Sequence, residues 1–422
     1  MGGPGPGHAG PALCARLRDR EARVCPRRRE ARGGPCRVRG GGLWRGPRRV
    51  RPADWRPLWG DCDCAGRRRA GRRGNRGVRR PHVRRGSCHA RAGARHCARG
   101  LGGRALRILY VASRYTGGTG SYAAQVAAMM RGAGHDVELL RAPYVRAKNA
   151  AQATFAVASS LKAALGRKRH DIVHAFGMPA APAMRAARAR RRVLTLGGVY
   201  SEQFGMIHPG AAHRAVSALE PRALAWADAL TTDSEDTRRR YEARLGVSPR
   251  VILGPLDTAR LASVRPAPRG GGPAVAYVGR DSPEKGVGVL REAEASIRAR
   301  VLYVTSSPWG EAMARLAASD VFVQPSLDES IPNATKEAHY LGVPTVGSDA
   351  GGIPEIIEHG QTGLLVPPGD ASALAAAANS LLDDGALARR LAAEAKRRVV
   401  ERFSPEILAP EYGRLYAEVA AR

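Results

Sequence analysis

From residue 106 onward, short apolar runs alternate with longer stretches whose apolar residues recur every three or four positions. The runs LRILYVA (106–112), HDVELL (135–140), DIVHAF (171–176), RVLTL (192–196), DALTT (228–232) and RVILG (250–254) are of strand length. Apolar runs this short, flanked by turn residues, predict strands of a parallel sheet covered on both faces. The segment 256–272 (LDTARLASVRPAPRGGG) is rich in Pro and Gly and predicts a linker. The alternation then resumes with AVAYVG (274–279), RVLYVT (300–305), DVFVQPS (320–326), PTVGS (344–348) and GLLVPP (363–368). A helical stretch is predicted over 370–402, and a last helix follows Ser404-Pro405. The predicted class is therefore α/β, with two Rossmann-like domains facing each other across a cleft. Their boundaries are 106–255 and 273–402, with the linker at 256–272 and a terminal helix over 403–422.

Residues 1–105 lack this periodicity. The chain of 422 residues carries 69 Lys plus Arg against 37 Asp plus Glu, a formal net charge of +32. Residues 1–100 hold 28 arginines and six acids, whereas the other 322 residues hold 41 bases and 31 acids. A segment this basic, without regularly spaced β-branched or aromatic residues, cannot offset its ordering entropy by burial, so a disordered tail is predicted. Two readings of the tail stand side by side. An Arg-rich arm would dock on nucleic acid or anionic lipid, with strong salt dependence. Translation of GC-rich DNA upstream of a start near Leu106, or out of frame, would give the same composition.

All seven cysteines (Cys14, Cys25, Cys36, Cys62, Cys64, Cys88, Cys97) lie in the tail, so the core uses neither disulfides nor thiolate chemistry. Cys62-x-Cys64 lacks the usual zinc-ligand spacing. Asp61-x-Asp63 lies in the same segment, and no metal motif stands out in the core. No apolar run approaches the roughly 18–20 residues of a membrane span, and the N-terminus has no apolar signal region. A cytoplasmic location is expected, at most peripheral on the inner face of the membrane.

The densest chemistry lies in 325–337, PSLDESIPNATKE. A strand ends at Pro325-Ser326, a loop carries Glu329, and a helix starting near Pro332 carries Glu337. Ligands of open α/β sheets bind at the carboxyl edge of the strands, so two carboxylates there suit a hydroxyl-rich ligand. Farther on, Gly351-Gly352 permits close approach of a phosphate, and Glu355 stands at the start of the next helical turn. Arg280 and Lys285, in GRDSPEKG after the run 274–279, form a pair of cations suited to a diphosphate. Gly117-Gly118 makes a glycine turn after the first strand. Basic clusters at 167–169, 185–192 and 238–240 read either as solvated helix faces or as a patch resting on anionic membrane.

These residues resemble the E-x7-E signature of retaining GT-B glycosyltransferases, the "glycosyl transferases group 1" family. The resemblance extends to Gly279-Arg280 with Lys285-Gly286, Gly117-Gly118, Gly134-His135, Asp233-Ser234, GPLD (254–257) and the helix after Phe403-Ser404, and it covers roughly 106–420. It implies a metal-independent enzyme with no cofactor, whose co-substrate is a nucleotide-diphosphate sugar. By resemblance 106–255 would bind the acceptor, 273–402 the donor, and the last helix would cross back to the N-terminal domain. Arg280, Lys285, Gly117 and Gly118 would bind the donor diphosphate. Glu329, Glu337, Ser330, Ile331 and Pro332 would bind its sugar and ribose, with Gly351, Gly352 and Glu355 as secondary candidates. Glu329 and His174 would act in catalysis. The acceptor would be a glycan, a small molecule or a lipid-linked sugar, with nucleic acid not expected as a partner.

The chain departs from the family pattern in three places. Between Gly286 and Asp320 it is short by about one β–α unit, which bears on the contacts to the base. Gly197-Gly198 and Phe176 stand where many members carry histidines, which bears on the acceptor. Two enzyme alternatives, an epimerase and a phosphorylase on the same fold, would need cross-domain acid/base residues or a pyridoxal lysine. An alternative of another class is nucleic-acid binding through the Arg-rich tail, which deletion of 1–105 would abolish.

Overall fold

The computed structural model describes residues 104–113, 118–145 and 151–422. The expectation of a disordered tail therefore falls, but for its last two residues, outside the described residues, as does Gly117.

Each apolar run of the core forms a strand. The first sheet contains β1 (Arg107–Ala112), β2 (Asp136–Leu140), β3 (His170–Phe176), β4 (Ala189–Leu196), β5 (Ala229–Thr232) and β6 (Arg250–Val251). All pairs are parallel, in the order β2-β1-β3-β4-β5-β6. The second contains β7 (Ala274–Val278), β8 (Arg300–Val304), β9 (Val321–Gln324), β10 (Thr345–Ser348) and β11 (Leu364–Val366), parallel in the order β11-β10-β9-β7-β8. Chain order reverses between β1 and β3 in one sheet and between β7 and β9 in the other. At such reversals the following loops diverge and leave a crevice at the carboxyl edge. Gly118 follows β1, Arg280 follows β7, and the loop with Glu329 follows β9, so the sheet order itself sends the expected residues to these edges.

Two details differ from the sequence reading, and the short segment before Asp320 is as expected. The helical stretch over 370–402 is two helices, Ala371–Asp383 and Gly385–Phe403. Asp384 ends the first and caps the second, its Oδ1 accepting from the Ala386 and Leu387 amides at 3.0 and 2.9 Å. Within 256–272, Asp257 caps a short helix, Thr258–Ala262, and Leu256 and Leu261 are buried in the core under the second sheet. Between Gly286 and Asp320 the chain forms a seven-residue helix (Val287–Ala293), β8 and the helix Trp309–Ala317, leaving this sheet at five strands.

The helix Pro405–Ala421 packs on the first sheet and buries Leu408, Tyr412, Leu415, Tyr416 and Val419. At about 1.5–3 kcal/mol per large side chain, these contribute on the order of 10 kcal/mol as an upper bound. The phenols are partnered, since a buried hydroxyl without a hydrogen bond is costly. Tyr416 and Tyr110 share a bond of 2.8 Å, and Tyr412 and Tyr122 one of 2.6 Å.

His174 belongs to this cluster, which corrects the expectation that it acts in catalysis. It is fully buried, with Nδ1 2.7 Å from the Tyr416 hydroxyl and Nε2 2.6 Å from Thr195 Oγ1. Burial pushes its pKa down to about 3, so the ring is neutral. The DIVHAF run is covered on both faces, and the last helix closes over the histidine. Tyr416→Phe should leave Nδ1 unpartnered and cost about 1–3 kcal/mol, measured by urea unfolding; a loss below about 0.5 kcal/mol would count against this buried network.

Candidate functional site

The loop Pro325–Pro332 leaves β9 and passes between two glycines. Gly286 sits at φ +64, and a Cβ there would lie 1.8 Å from the Pro325 carbonyl oxygen. Gly351 sits at φ +54, and its Cβ would lie 2.1 Å from the Glu329 carbonyl oxygen. Both collisions are with backbone, and both φ values are of the left-handed kind that side chains disfavour. The Gly352 amide then donates to the Glu329 carbonyl at 2.9 Å, and Leu327 and Asp328 donate to the Glu284 carbonyl at 2.9 and 3.3 Å.

This clamped loop aims Glu329 at Lys285. Their side chains form a direct ion pair, with 17% and 14% of their surfaces exposed. Burial, with the nearby Arg280 charge, pushes the Lys285 ammonium down to about 8. Arg280 is 63% exposed, and it pairs at 2.9 Å with Glu284, a buried carboxylate whose Oε2 has no partner. Two cations thus converge beside the carboxyl ends of β7 and β9. One is open to ligand; the other is held by a carboxylate that a stronger anion can displace.

Glu337 lies in the first turns of the helix Asn333–Leu341 and is 6% exposed. Trp309 Nε1 donates to its Oε1 at 2.7 Å. Burial pushes its carboxyl up to about 7, so it changes charge near neutrality. At the start of the same helix, Asn333 Nδ2 donates to the Gly118 carbonyl at 3.0 Å. Pro332 is the N-cap of this helix, and no side chain caps it. Gly118, Lys285, Glu329 and Glu337 therefore all stand on the facing carboxyl edges of the two sheets.

Three expected site residues do other work. Ser330 Oγ donates to the buried Asp233 at 2.5 Å and accepts from Thr237 Oγ1 at 3.3 Å. Ile331 is 4% exposed in the core. Glu355 caps the helix Glu235–Leu245 of the other sheet: its carboxylate accepts from Ser234 Oγ and from the Glu235 and Asp236 amides at 2.8–2.9 Å. These side chains join the two halves, because the β9 loop and the turn Ile353–Glu355 pack directly on the start of that helix. Gly352 faces Ser234 Oγ, which a Cβ would approach to 2.7 Å. Arg240, which the sequence reading grouped with a basic cluster, adds an ion pair to Asp328 at 2.6 Å and another to Glu202. Sequence reasoning missed Asn333 and Trp309; only Asn333, beside a proline at a helix start, carried a local signal.

Residues 290–398 match the family model of the glycosyl transferases group 1, and residues 116–260 match that of Glycosyltransferase Family 4. The glycogen synthase of Mycobacterium tuberculosis is 30% identical over 284 residues, covering 59% of this chain and 69% of that protein. The chain belongs to the glycosyl transferases group 1 family. A second relative, N-acetyl-alpha-D-glucosaminyl L-malate synthase of Bacillus anthracis, is 39% identical over 104 residues, 25% of this chain and 27% of the relative. Sucrose-phosphate synthase from Thermosynechococcus elongatus has the same fold, with TM-score 0.63 and 21% identity over 75% of this chain and 99% of that one. HepE of Anabaena, solved in complex with UDP-glucose, gives TM-score 0.53 and 17% identity over 74% of this chain and all of that one. The two Rossmann-like halves are thus the GT-B architecture of group 1 enzymes.

Replacing Gly286 with Ala should drive β9's loop out of place. A loss of more than about 2 kcal/mol is expected, from strain plus displaced packing. Gly288→Ala, where a Cβ meets nothing within 4 Å in the helix Val287–Ala293, should instead be neutral or stabilising. Equal melting temperatures for the two variants would contradict the clamp.

Proposed function

We propose that this chain is a retaining glycosyltransferase that moves a sugar from a nucleotide-diphosphate sugar to an acceptor hydroxyl. The observation that carries the reading is the Lys285–Glu329 ion pair beside the exposed Arg280, at the edge facing Gly118. A donor brings a diphosphate and a hydroxyl-bearing sugar together, and that combination answers both halves of the pair. The diphosphate replaces Glu329 as the partner of Lys285, and the freed carboxylate accepts from sugar hydroxyls. Glu337 holds the ribose hydroxyls. The solved complex of HepE with UDP-glucose supports a donor of this class.

In the proposed reaction the bond from the anomeric carbon to the diphosphate oxygen breaks, and the acceptor oxygen bonds to the same face of that carbon. The acceptor's proton passes to the departing phosphate oxygen. Arg280 and Lys285 neutralise the charge growing on that oxygen, and they supply the positive charge without a metal step. Closure of the two halves excludes water and limits hydrolysis. The acceptor in this proposal is a sugar, free or lipid-linked, and the basic cluster 167–169 would rest on anionic membrane in the lipid-linked case. Among the described residues no helix is long and apolar enough to cross a membrane.

A thermal-shift panel of sugar nucleotides should identify a stabilising donor. Arg280→Ala and Glu337→Ala should each weaken its binding tenfold or more, about 1.4 kcal/mol or above. If no sugar nucleotide stabilises the protein, the reading fails.

The pH dependence has a definite sign. Lys285 loses its charge as pH rises through about 8, and Glu337 loses its charge as pH falls through about 7. Donor affinity, measured by calorimetry, should therefore peak between those values and decline on either side. A profile flat from acid to alkaline pH would contradict these roles.

A further inference from the structure

The helix Ala151–Leu165 buries Phe155, Ser159 and Ala163 on the side it turns to the first half's core. Its opposite face would be polar if it met only water. Instead Val157, Leu161 and Leu165 stand there four residues apart, 71%, 61% and 72% exposed. Val145, also exposed, adjoins the stripe, its amide donating to Thr154 Oγ1 at 3.1 Å. Lys162 is the only charged residue of the helix, and its Nζ donates to the Arg141 carbonyl at 2.7 Å. Scattered exposed apolar side chains are ordinary. A continuous stripe about 12 Å long, at the 1.5 Å rise of a helix, marks a face that something covers.

The sheet gathers charge at the end of this stripe. The helix Ala151–Leu165 leads into β3 and the helix Ala181–Ala186 into β4, so both end at the amino edge of the sheet. Two basic clusters distant in the sequence meet there. The His170 amide, next to Arg169, donates to the Arg188 carbonyl at 3.0 Å, and His170 pairs with Ala189 in the β3–β4 register. Arg185 stands in the last turn of the second helix. Lys168 is paired with Glu138 at 3.1 Å. Arg167, Arg169, Arg185, Arg188 and Arg190 are exposed, and among the described residues no carboxylate is within ion-pair distance of them.

Arginines without acids, at the end of an apolar stripe, complement a surface that is anionic outside and apolar beneath. A nucleic acid would answer the arginines and leave the stripe in water. A second copy docked through this face would set like charges together. The chain's own residues 1–100, with 28 arginines against six acids, are equally ill matched. We propose that this face docks on an anionic lipid bilayer, with Val157, Leu161 and Leu165 entering the headgroup layer and the arginines on its phosphates. The proposal rests on the glycosyltransferase reading for its purpose, a lipid-linked acceptor, and adds the apolar helix face that seats the cluster 167–169. It shares no side chain with the donor clamp.

The test is hydrogen exchange of the full chain, alone and with vesicles of phosphatidylglycerol and phosphatidylcholine in equal parts, followed in peptides spanning 151–169. A local readout is needed because the arginines of residues 1–100 would hold such vesicles by charge alone. Leu161→Gln with Leu165→Gln, and separately Arg167→Gln with Arg188→Gln, change solvent-facing side chains and should melt as wild type does. Exchange slowed roughly fivefold or more in wild type, with the effect lost in both variants and absent with phosphatidylcholine alone, supports the proposal. It is overturned if the vesicles do not bind, or bind without slowing these amides. It is overturned equally if either variant is slowed as wild type is, or if phosphatidylcholine alone has the same effect. Wild type sedimenting as a dimer without vesicles, and the leucine variant as a monomer, would give the face to a second copy and overturn it too. Stabilisation by a sugar nucleotide should be the same in all three proteins; its absence from wild type would sink the donor reading and leave the docking result standing.

Discussion

The close approach of backbone around the loop Pro325–Pro332 is the constraint on which the site depends. The loop can lie where it does only because Gly286 on one side and Gly351 on the other present no Cβ to its carbonyls. Their separation, less than any real Cβ contact, fixes the loop against both the β7 edge and the turn after β10. From that position Glu329 reaches Lys285, Ser330 reaches Asp233, and Asp328 reaches Arg240. One backbone path therefore sets both the chemistry of the cleft and the attachment of the other half.

The same loop explains how a cluster of buried charge is tolerated. An isolated ion in a protein interior is strongly destabilising, and pairing it recovers most of that cost. Lys285 is paired with Glu329, and Arg240 spans Glu202, Asp236 and Asp328. Lys336 is fully buried, its Nζ donates to the Gly254 carbonyl at 3.0 Å, and burial pushes it down to about 8. Of these, the Arg240–Asp328 pair and the Lys336–Gly254 bond join the two halves. A diphosphate that replaced Glu329 at Lys285 would act within the second half, on the loop that carries Asp328 to Arg240 of the first.

Much of this was legible in the sequence because the signals were local. Apolar runs with turn residues at their ends located all eleven strands of the described residues, since a parallel sheet buries both faces and leaves no alternation to decipher. The spacing of Glu329 and Glu337 and the glycines at 286 and 351 placed the β9 loop at a strand edge. What could not be read depended on contacts far apart in the chain. Glu355 caps a helix that begins 120 residues earlier, and His174 is sealed by Tyr416, 242 residues later. A single histidine at a strand end looks the same whether it faces a cleft or a neighbouring helix. Asp384 was missed for the opposite reason: two helices separated by one residue share a continuous Ala/Leu/Arg pattern.

The central claim is that a donor diphosphate takes Lys285 from Glu329. Its most direct measurement is the number of protons taken up when a nucleoside diphosphate binds, from calorimetric titrations at about pH 9 in buffers of different ionisation enthalpy. A lysine held near 8 is mostly neutral there, and a diphosphate that binds it as an ammonium must bring its proton from solution. The account predicts uptake of most of one proton by the wild-type protein and none by Lys285→Met. Binding of the same nucleotide without proton uptake, or with equal uptake in the variant, would contradict it.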